Sequence, residues 1–138
     1  MSEMGDFNAR IVEEFRSNAG KVGGQFDGAP LLLLHHFGAR TNTERVNPVM
    51  YQPIEGGFAI FASKAGAPDN PDWYHNLVAH PETTVEVGAE VVPVRARVAK
   101  GDERTEIWEK QKRNWSGFAD YERNTDREIP VVILERAA

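Results

Sequence analysis

The segment from Leu31 to Gly66 limits the possible folds most, because its pattern predicts three consecutive β-strands joined by two turns. Leu31 to Phe37 is an almost continuous apolar run, which is typical of a strand buried on both faces. Val46 to Gln52 resumes the strand pattern, and Phe58 to Ala62 follows a glycine-containing turn as a third, short strand. This segment therefore predicts a hairpin-rich antiparallel unit.

Further strand signals extend this unit into a sheet. Pro48 and Pro53 favour an edge, a bulge or a strand end within the second strand. Thr83 to Val87 and Glu90 to Ala99 alternate between apolar and polar residues, which predicts a hairpin with one wet face. Ile129 to Leu134 reads as a last strand. Six strands with a few short helices predict a small antiparallel barrel, a mainly β protein with helices (α+β) whose closure removes exposed edges.

Three helices are predicted around these strands. The first covers about residues 7–18 and has apolar residues at helical spacing, which suits a lid, a packing helix or a helix on a membrane surface. The second covers Trp73 to His80, with residue 69 or 70 as its cap. The longest runs from Asp102, its candidate cap, to Tyr121, and Gly117 is a candidate break.

Length, charge and composition exclude several classes of protein. The 138 residues fit one domain, 1–138, and the net charge of −5 does not favour nucleic acid as a partner. The absence of cysteine excludes disulfides, thiolate catalysis and cysteine-based metal sites. No apolar run is long enough to span a bilayer, and no signal-peptide pattern begins the chain. The sequence therefore predicts a cytoplasmic protein.

Three cations lie beside the ends of the predicted strands. Arg40 and Arg45 occupy the loop after the first strand, and Lys64 follows the third strand. Short hydrogen-bonding side chains and glycines accompany them, which suits the oxygens of a phosphate or carboxylate. One hypothesis is that these cations converge on a single anion. The alternative is that each is an ordinary solvated surface charge.

Familiar catalytic motifs are missing from the chain. Its four histidines do not form a metal-binding pattern, so no metal site is predicted. No nucleophile elbow, Walker A motif or Rossmann glycine pattern is present. Redox or group-transfer chemistry would therefore have to be supplied by a bound organic cofactor.

Several motifs, in order along the chain, resemble the deazaflavin-dependent nitroreductase family. They cover almost the whole chain from Phe7 onward, which makes the resemblance specific. The matching segments are Ala29-Pro30-Leu31-Leu32-Leu33-Leu34, Gly38-Ala39-Arg40-Thr41, Arg45-Val46-Asn47-Pro48-Val49-Met50-Tyr51, Ala62-Ser63-Lys64-Ala65-Gly66, Pro71-Asp72-Trp73-Tyr74-His75-Asn76-Leu77, Tyr121 to Thr125 and Arg127 to Leu134.

This resemblance implies a split β-barrel of the flavin-reductase, FMN-binding type that binds coenzyme F420, a deazaflavin with a phosphate and an oligoglutamate tail. It implies that the basic loop holds the cofactor phosphate, that other residues line the ring, and that Lys21 is a weaker candidate for the tail. The implied cofactor-binding residues are Arg40, Thr41, Arg45, Val46, Asn47, Pro48, Val49, Ala62, Ser63, Lys64, Ala65, Trp73, Tyr74 and Asn76. Trp73 has an alternative interpretation as a core anchor.

The chain departs from the family pattern at two places. Asn42 stands where the family's loop usually has glycine, and asparagine tolerates left-handed backbone. Tyrosines of the characterised nitroreductase match Trp115, Phe118 and Tyr121, which are the implied substrate-pocket residues. Tyr121 alone keeps a hydroxyl that could orient substrate or donate a proton, so the resemblance implies cofactor binding more directly than nitro reduction.

The resulting prediction is an F420H2-dependent oxidoreductase that transfers hydride to a small electron-poor molecule such as a quinone, enone or nitroaromatic. One alternative is a split-barrel reductase that uses FMN. Another is a carrier or sequestering protein that binds F420 without turnover. Weak, peripheral membrane association through the first helix is a third hypothesis, and monomer and homodimer are both left open.

Overall fold

A computed structural model describes residues 3–23, 30–63 and 70–137, with the side chains of residues 3–8 left out. Lys64 and Ala65 therefore lie outside the described residues. The elements occur in the order α1 (Glu3–Ser17), β1 (Leu31–Phe37), β2 (Glu44–Ile54), β3 (Gly57–Phe61), α2 (Asp72–Ala79), β4 (Glu82–Val87), β5 (Glu90–Val98), α3 (Gly101–Asn114), α4 (Gly117–Arg123) and β6 (Val131–Arg136).

The six strands close into an antiparallel barrel in the order β1-β2-β3-β6-β5-β4. This confirms the predicted fold class, an α+β protein built on a six-stranded barrel. The leucine run of β1 is buried on both faces as predicted, because its side chains alternate between two environments. Leu32 and Leu34 enter the core inside the barrel, whereas Leu31 and Leu33 pack against α1 on the outside.

The two prolines of β2 are accommodated because this strand changes partners along its length. Pro48 faces Leu33 of β1 in the part of β2 that pairs with β1. Pro53 faces Phe58 of β3 in the part that pairs with β3. At each proline, β2 pairs with a strand on one side only. The other side of β2 has no strand to accept a hydrogen bond, so the missing proline N–H leaves no interstrand bond unmade there. The expectation of an edge-like strand is thus met within a continuous element of 11 residues.

Helices cover the barrel at three places. Trp73 and Leu77 of α2 complete the apolar core inside the barrel. Ile11 and Phe15 of α1 pack on the outer face of β1. Phe118 of α4 packs, together with α3, on the outer face of β3 and β6. None of the helices in the described ranges is long and apolar enough to cross a bilayer.

Helix boundaries differ from the prediction in several details. The helix expected at 7–18 runs from Glu3 to Ser17. The helix expected to run to Tyr121 is interrupted at its candidate break, since α3 ends at Asn114 and a separate helix begins at Gly117. Asp102 lies in the first turn of α3 and Lys100 occupies the N-cap position without a side-chain cap, so the predicted cap is wrong. Pro71, rather than residue 70, occupies the N-cap position of α2.

Candidate functional site

The loop between β1 and β2 forms a compact turn. The Gly38 N–H donates to the Thr43 carbonyl at 2.9 Å, and the Asn42 N–H donates to the Gly38 carbonyl at 2.8 Å. Asn42 has a φ of 58°, so it adopts the left-handed backbone that was expected of it in place of glycine. A Cβ on Gly38 would lie 2.4 Å from the Thr41 hydroxyl oxygen, which ties this glycine to the close packing of the turn.

Two predicted phosphate ligands lie on this loop and at the start of β2. Arg40 and Arg45 are both exposed. Neither forms an ion pair within residues 3–23, 30–63 and 70–137. Thr41 is exposed beside them, and its hydroxyl accepts the Thr43 N–H at 3.3 Å. Two guanidinium groups that have no carboxylate partner in these ranges are available to an anionic ligand.

A groove of about 650 Å³ separates α1 from the start of β2. Arg45, Val46 and Asn47 line it on the strand side. Val12 and Arg16 are among the residues that line it on the helix side. Its volume lies within the range usual for small-molecule and cofactor sites. The strand side of the groove thus consists of residues that the sequence singled out.

On the barrel side of β1 and β2, a buried hydrogen-bonded network links two of the predicted site residues. His36 is only 2 % exposed and lies between Asn47 of β2 and Asn76 of α2. His36 Nε2 lies 2.6 Å from Asn47 Oδ1, and His36 Nδ1 lies 2.9 Å from Asn76 Nδ2. The Ala39 N–H donates to Asn76 Oδ1 at 3.0 Å. The network therefore connects β1, β2, α2 and the basic loop.

Burial is the main reason that the pKa of His36 is lowered. Removal from water disfavours the charged imidazole. The hydrogen bond to Asn47 acts in the opposite direction. Among nearby charges, Arg45 and His35 lower the pKa further, whereas Asp72 raises it. The net result is a neutral imidazole at neutral pH.

The segment after β3 is held by an arginine that the sequence analysis did not single out as a site residue. Arg127 Nη1 donates to the Ala62 carbonyl at 3.0 Å and to Asn70 Oδ1 at 2.7 Å, and its Nη2 donates to the Ser63 carbonyl at 2.8 Å. Asn70 thus supports Arg127 instead of capping α2. Since Arg127 lies 57 to 65 positions from its partners, no local pattern could have indicated this role.

The predicted site residues of α2 have different environments. Trp73 is 8 % exposed within the barrel core, which agrees with its interpretation as a core anchor. Tyr74 is partly buried and packs against the same core. Asn76 is buried and belongs to the His36 network. On β2, Val49 packs against the barrel core, whereas Val46 packs against the cluster beneath α1.

The three predicted substrate-pocket residues come together, but away from the groove lining. Phe118 is buried, and its ring centroid lies 5.3 Å from that of Tyr121 and 5.5 Å from that of Phe61. Trp115 and Tyr121 are partly buried at the margin of this cluster. Met50 of β2 packs against both this cluster and the one beneath α1. A pocket role for these aromatic residues stays a prediction.

Acidic and histidine side chains do not form a group of three or more suited to a metal ion in the part of the chain that is described. His35 instead takes part in a surface network with carboxylates. Its Nε2 lies 2.7 Å from Glu86 Oε2, and Arg16 of α1 also contacts that oxygen at 2.7 Å. The hydrogen bond from Arg16 is the main reason that the pKa of Glu86 is lowered. This network attaches α1 to β4.

Known proteins resemble the chain over nearly its full length. A family profile described as F420H(2)-dependent quinone reductase matches residues 8–136. An F420H(2)-dependent quinone reductase of Mycobacterium tuberculosis is 35% identical over 126 residues, which are 88% of this chain and 85% of the relative.

Solved structures agree with this match. An F420-H2 dependent reductase aligns with a TM-score of 0.70 at 37% identity, covering 77% of this chain and 94% of that one. A chain described as a domain-swapped dimer aligns with a TM-score of 0.72 at 33% identity, covering 96% of each chain. Sequence and fold therefore resemble the same group of proteins.

Proposed function

The chain belongs to the F420H(2)-dependent quinone reductase family, and from this membership we propose that it is an oxidoreductase in which reduced coenzyme F420 donates hydride to a small electron-poor organic acceptor. The family description makes a quinone the first candidate acceptor. F420 is the cofactor, and its deazaflavin supplies the hydride. The contribution of the protein is to hold the cofactor and the acceptor against each other and to keep water out.

One observation carries the assignment of the cofactor site. Arg40 and Arg45 are exposed without ion pairs in the described residues, and Arg45 also lines the groove of about 650 Å³ beside α1. An anionic phosphate would provide the partner that these guanidinium groups lack. The residues present thus fit the phosphate of F420, which supports this groove as the cofactor site.

Individual residues receive proposed roles from this arrangement. Arg40, Thr41 and Arg45 bind the phosphate. Asn47 and the strand that follows it, with Pro48 and Val49, lie along the ring. The remaining proposed cofactor contacts are Val46, Ala62, Ser63, Lys64, Ala65, Trp73, Tyr74 and Asn76. Trp115, Phe118 and Tyr121 are proposed to contact the acceptor, with the Tyr121 hydroxyl orienting it or donating a proton.

Titration with F420, followed by fluorescence, tests the cofactor site. The wild type should bind F420 at micromolar concentration or tighter. Replacing both arginines, R40A/R45A, should weaken binding about tenfold or more, because charge-assisted hydrogen bonds to the phosphate are lost. R95A/R113A is the matched control, since both of its arginines are exposed on β5 and α3 and it changes the net charge equally.

Two outcomes would contradict different parts of the proposal. Failure of the wild type to bind F420 would overturn the cofactor assignment, and competition with FMN would then test the flavin alternative. Unchanged binding by R40A/R45A would remove the phosphate site only. Reoxidation of bound F420H2 by quinones, enones and nitro compounds distinguishes a reductase from a carrier, and the nitro compounds test the finer nitroreductase assignment.

Assembly and membrane contact are separate proposals. The solved structure of the relative described as a domain-swapped dimer makes a homodimer a state to test by light scattering. Weak membrane contact through α1 would require a surface other than Ile11 and Phe15, since both are buried against the barrel. Sedimentation of the full chain with anionic liposomes tests that contact, and a chain that stays in the supernatant would contradict it.

A further inference from the structure

The hydrogen bonds of the His36 network have one consistent direction. It starts at the backbone N–H of Ala39, which can only donate, so Asn76 Oδ1 is an acceptor. Asn76 Nδ2 is therefore a donor, and His36 Nδ1, 2.9 Å away, must accept without carrying a proton. A neutral imidazole then carries its proton on Nε2, which donates to Asn47 Oδ1 at 2.6 Å.

This direction determines which half of the Asn47 amide remains available. Its oxygen is occupied by His36. Its Nδ2 makes no hydrogen bond within the described residues and is not among their buried unpaired atoms, so it is open to solvent. Asn47 pairs with Leu34 of the barrel core, so its amide lies on the barrel face of β2, opposite to Val46, which packs beneath α1. A hydrogen-bond donor is therefore presented on this face, at the stretch of β2 that also borders the groove.

We propose that His36 is a positioning residue that holds Asn47 so that Asn47 Nδ2–H donates to an acceptor atom, a carbonyl oxygen or ring nitrogen, at the edge of the cofactor ring. This inference rests on the proposed function, which puts that ring along Asn47. His36 itself is buried on the barrel side of β1 and acts through Asn47. A rotated amide would present its oxygen to the same acceptor and repel it.

The arrangement also predicts how pH acts on the site. Protonation would place a proton on His36 Nδ1, directly opposite the Asn76 amide donor. Asn76 would then lose its bond to His36 or turn over and lose its bond from the Ala39 N–H. Among the described residues, the charged and titratable groups near His36 are Arg45 of β2, His35 of β1 and Asp72 of α2. Of these, Asp72 alone favours the protonated imidazole.

The test compares F420 affinity between pH 5 and pH 8 for His36→Gln and His36→Leu. Glutamine keeps a donor for Asn47 and an acceptor for Asn76, so H36Q should bind within about threefold of the wild type at pH 8 and lose the weakening at acid pH. H36L should bind about tenfold more weakly at every pH. His75→Gln is the matched control, because His75 is exposed on the same helix as Asn76 and should behave like the wild type.

A double-mutant cycle tests whether His36 acts through Asn47. H36L/N47A should bind no more weakly than N47A alone, because the group that His36 orients is already gone. In the unliganded wild type, nitrogen NMR of the imidazole should report the Nε2–H tautomer. Any protonation of F420 itself between pH 5 and pH 8 affects all variants equally, so it cancels in the ratios of their F420 affinities.

Each failure has a distinct meaning. Wild-type protein that binds no F420 would overturn the proposed function and this inference with it. Wild-type binding together with additive losses in H36L/N47A, or an H36Q variant that keeps the acid weakening, would overturn the inference alone. If H36L does not fold, the H36Q pH profile and the NMR tautomer still decide the outcome.

Discussion

At the scale of single residues, His36 shows how a buried polar group can be stabilised in a small barrel. It follows Leu32 and Leu34 at alternate positions of β1, so it points to the barrel interior. There both ring nitrogens are satisfied, by Asn47 and Asn76. A buried imidazole with one donor and one acceptor partner does not need to carry charge, which agrees with its lowered pKa.

This lowered pKa predicts a pH dependence of stability. Below about pH 6.5 the unfolded chain takes up a proton on His36 that the folded chain resists, so the free energy of unfolding should fall as the pH decreases and level off below the folded-state pKa. Urea unfolding between pH 8 and pH 5 measures this, and H36Q should show a smaller slope. An equal slope in H36Q would contradict the assignment of the titration to His36.

Carboxylates contribute in a separate, more acidic range. The pKa of Glu86 is lowered chiefly by Arg16, and that of Glu122 chiefly by the Trp108 indole N–H. Their contributions are present above about pH 4.5 and are lost as the pH falls through the lowered folded-state values. Wild type and H36Q share this loss, so the two ranges can be distinguished.

At the scale of elements, barrel closure depends on how closely β3 and β6 approach. Gly57 lies opposite Glu135, and its neighbour Phe58 lies opposite Leu134. A Cβ on Gly57 would lie 2.1 Å from the Leu134 carbonyl oxygen. Since that oxygen belongs to the backbone of a paired strand, the contact could be relieved only by moving β6. The closure therefore favours glycine at this position.

Gly57→Ala should accordingly lower the free energy of unfolding by about 1–3 kcal/mol or more, because the barrel would have to open locally. Gly117→Ala is the control, since a Cβ added there would have no atom within 4 Å and alanine suits the start of α4. Urea unfolding of both variants measures the difference. Equal stability of the two variants would show that β6 adapts without cost.

At the scale of the whole molecule, the proposed function requires a protein with a net negative charge to bind an anionic cofactor. The net charge of −5 opposes such a ligand over long distances, whereas Arg40 and Arg45 attract it locally. At 0.15 M ionic strength the screening length is about 8 Å, so groups next to the ligand dominate. The site can therefore work within an acidic surface.

Raising the salt concentration from about 0.05 M to 0.5 M should weaken F420 binding several-fold, because it screens the exposed arginines. R40A/R45A should have lost most of this dependence, whereas R95A/R113A should retain it. Titrations at matched pH measure the effect. A double variant that keeps the full salt dependence would indicate that other cations hold the phosphate.

The strands, most of the helices and the position of the basic loop could all be predicted from the sequence. These elements follow from local patterns of apolar and polar residues, which reflect the faces of each element that are buried. Examples are the alternation along β4 and β5 and the apolar run of β1. The loop conformation at Asn42 also follows from a local preference. The resemblance added the cofactor, which no spacing of residues could have supplied.

Which side chains meet could not be predicted without the folded barrel. His36 joins Asn47 and Asn76 across 11 and 40 positions, and Arg127 reaches Ser63 across 64. Barrel closure brings these residues together, and a hydrogen bond between distant residues produces no periodic pattern in the sequence. The helix boundaries near Trp115 likewise depend on packing against β3 and β6. Local preference therefore fixed the elements, whereas long-range contact fixed the orientation of the groups at the candidate site.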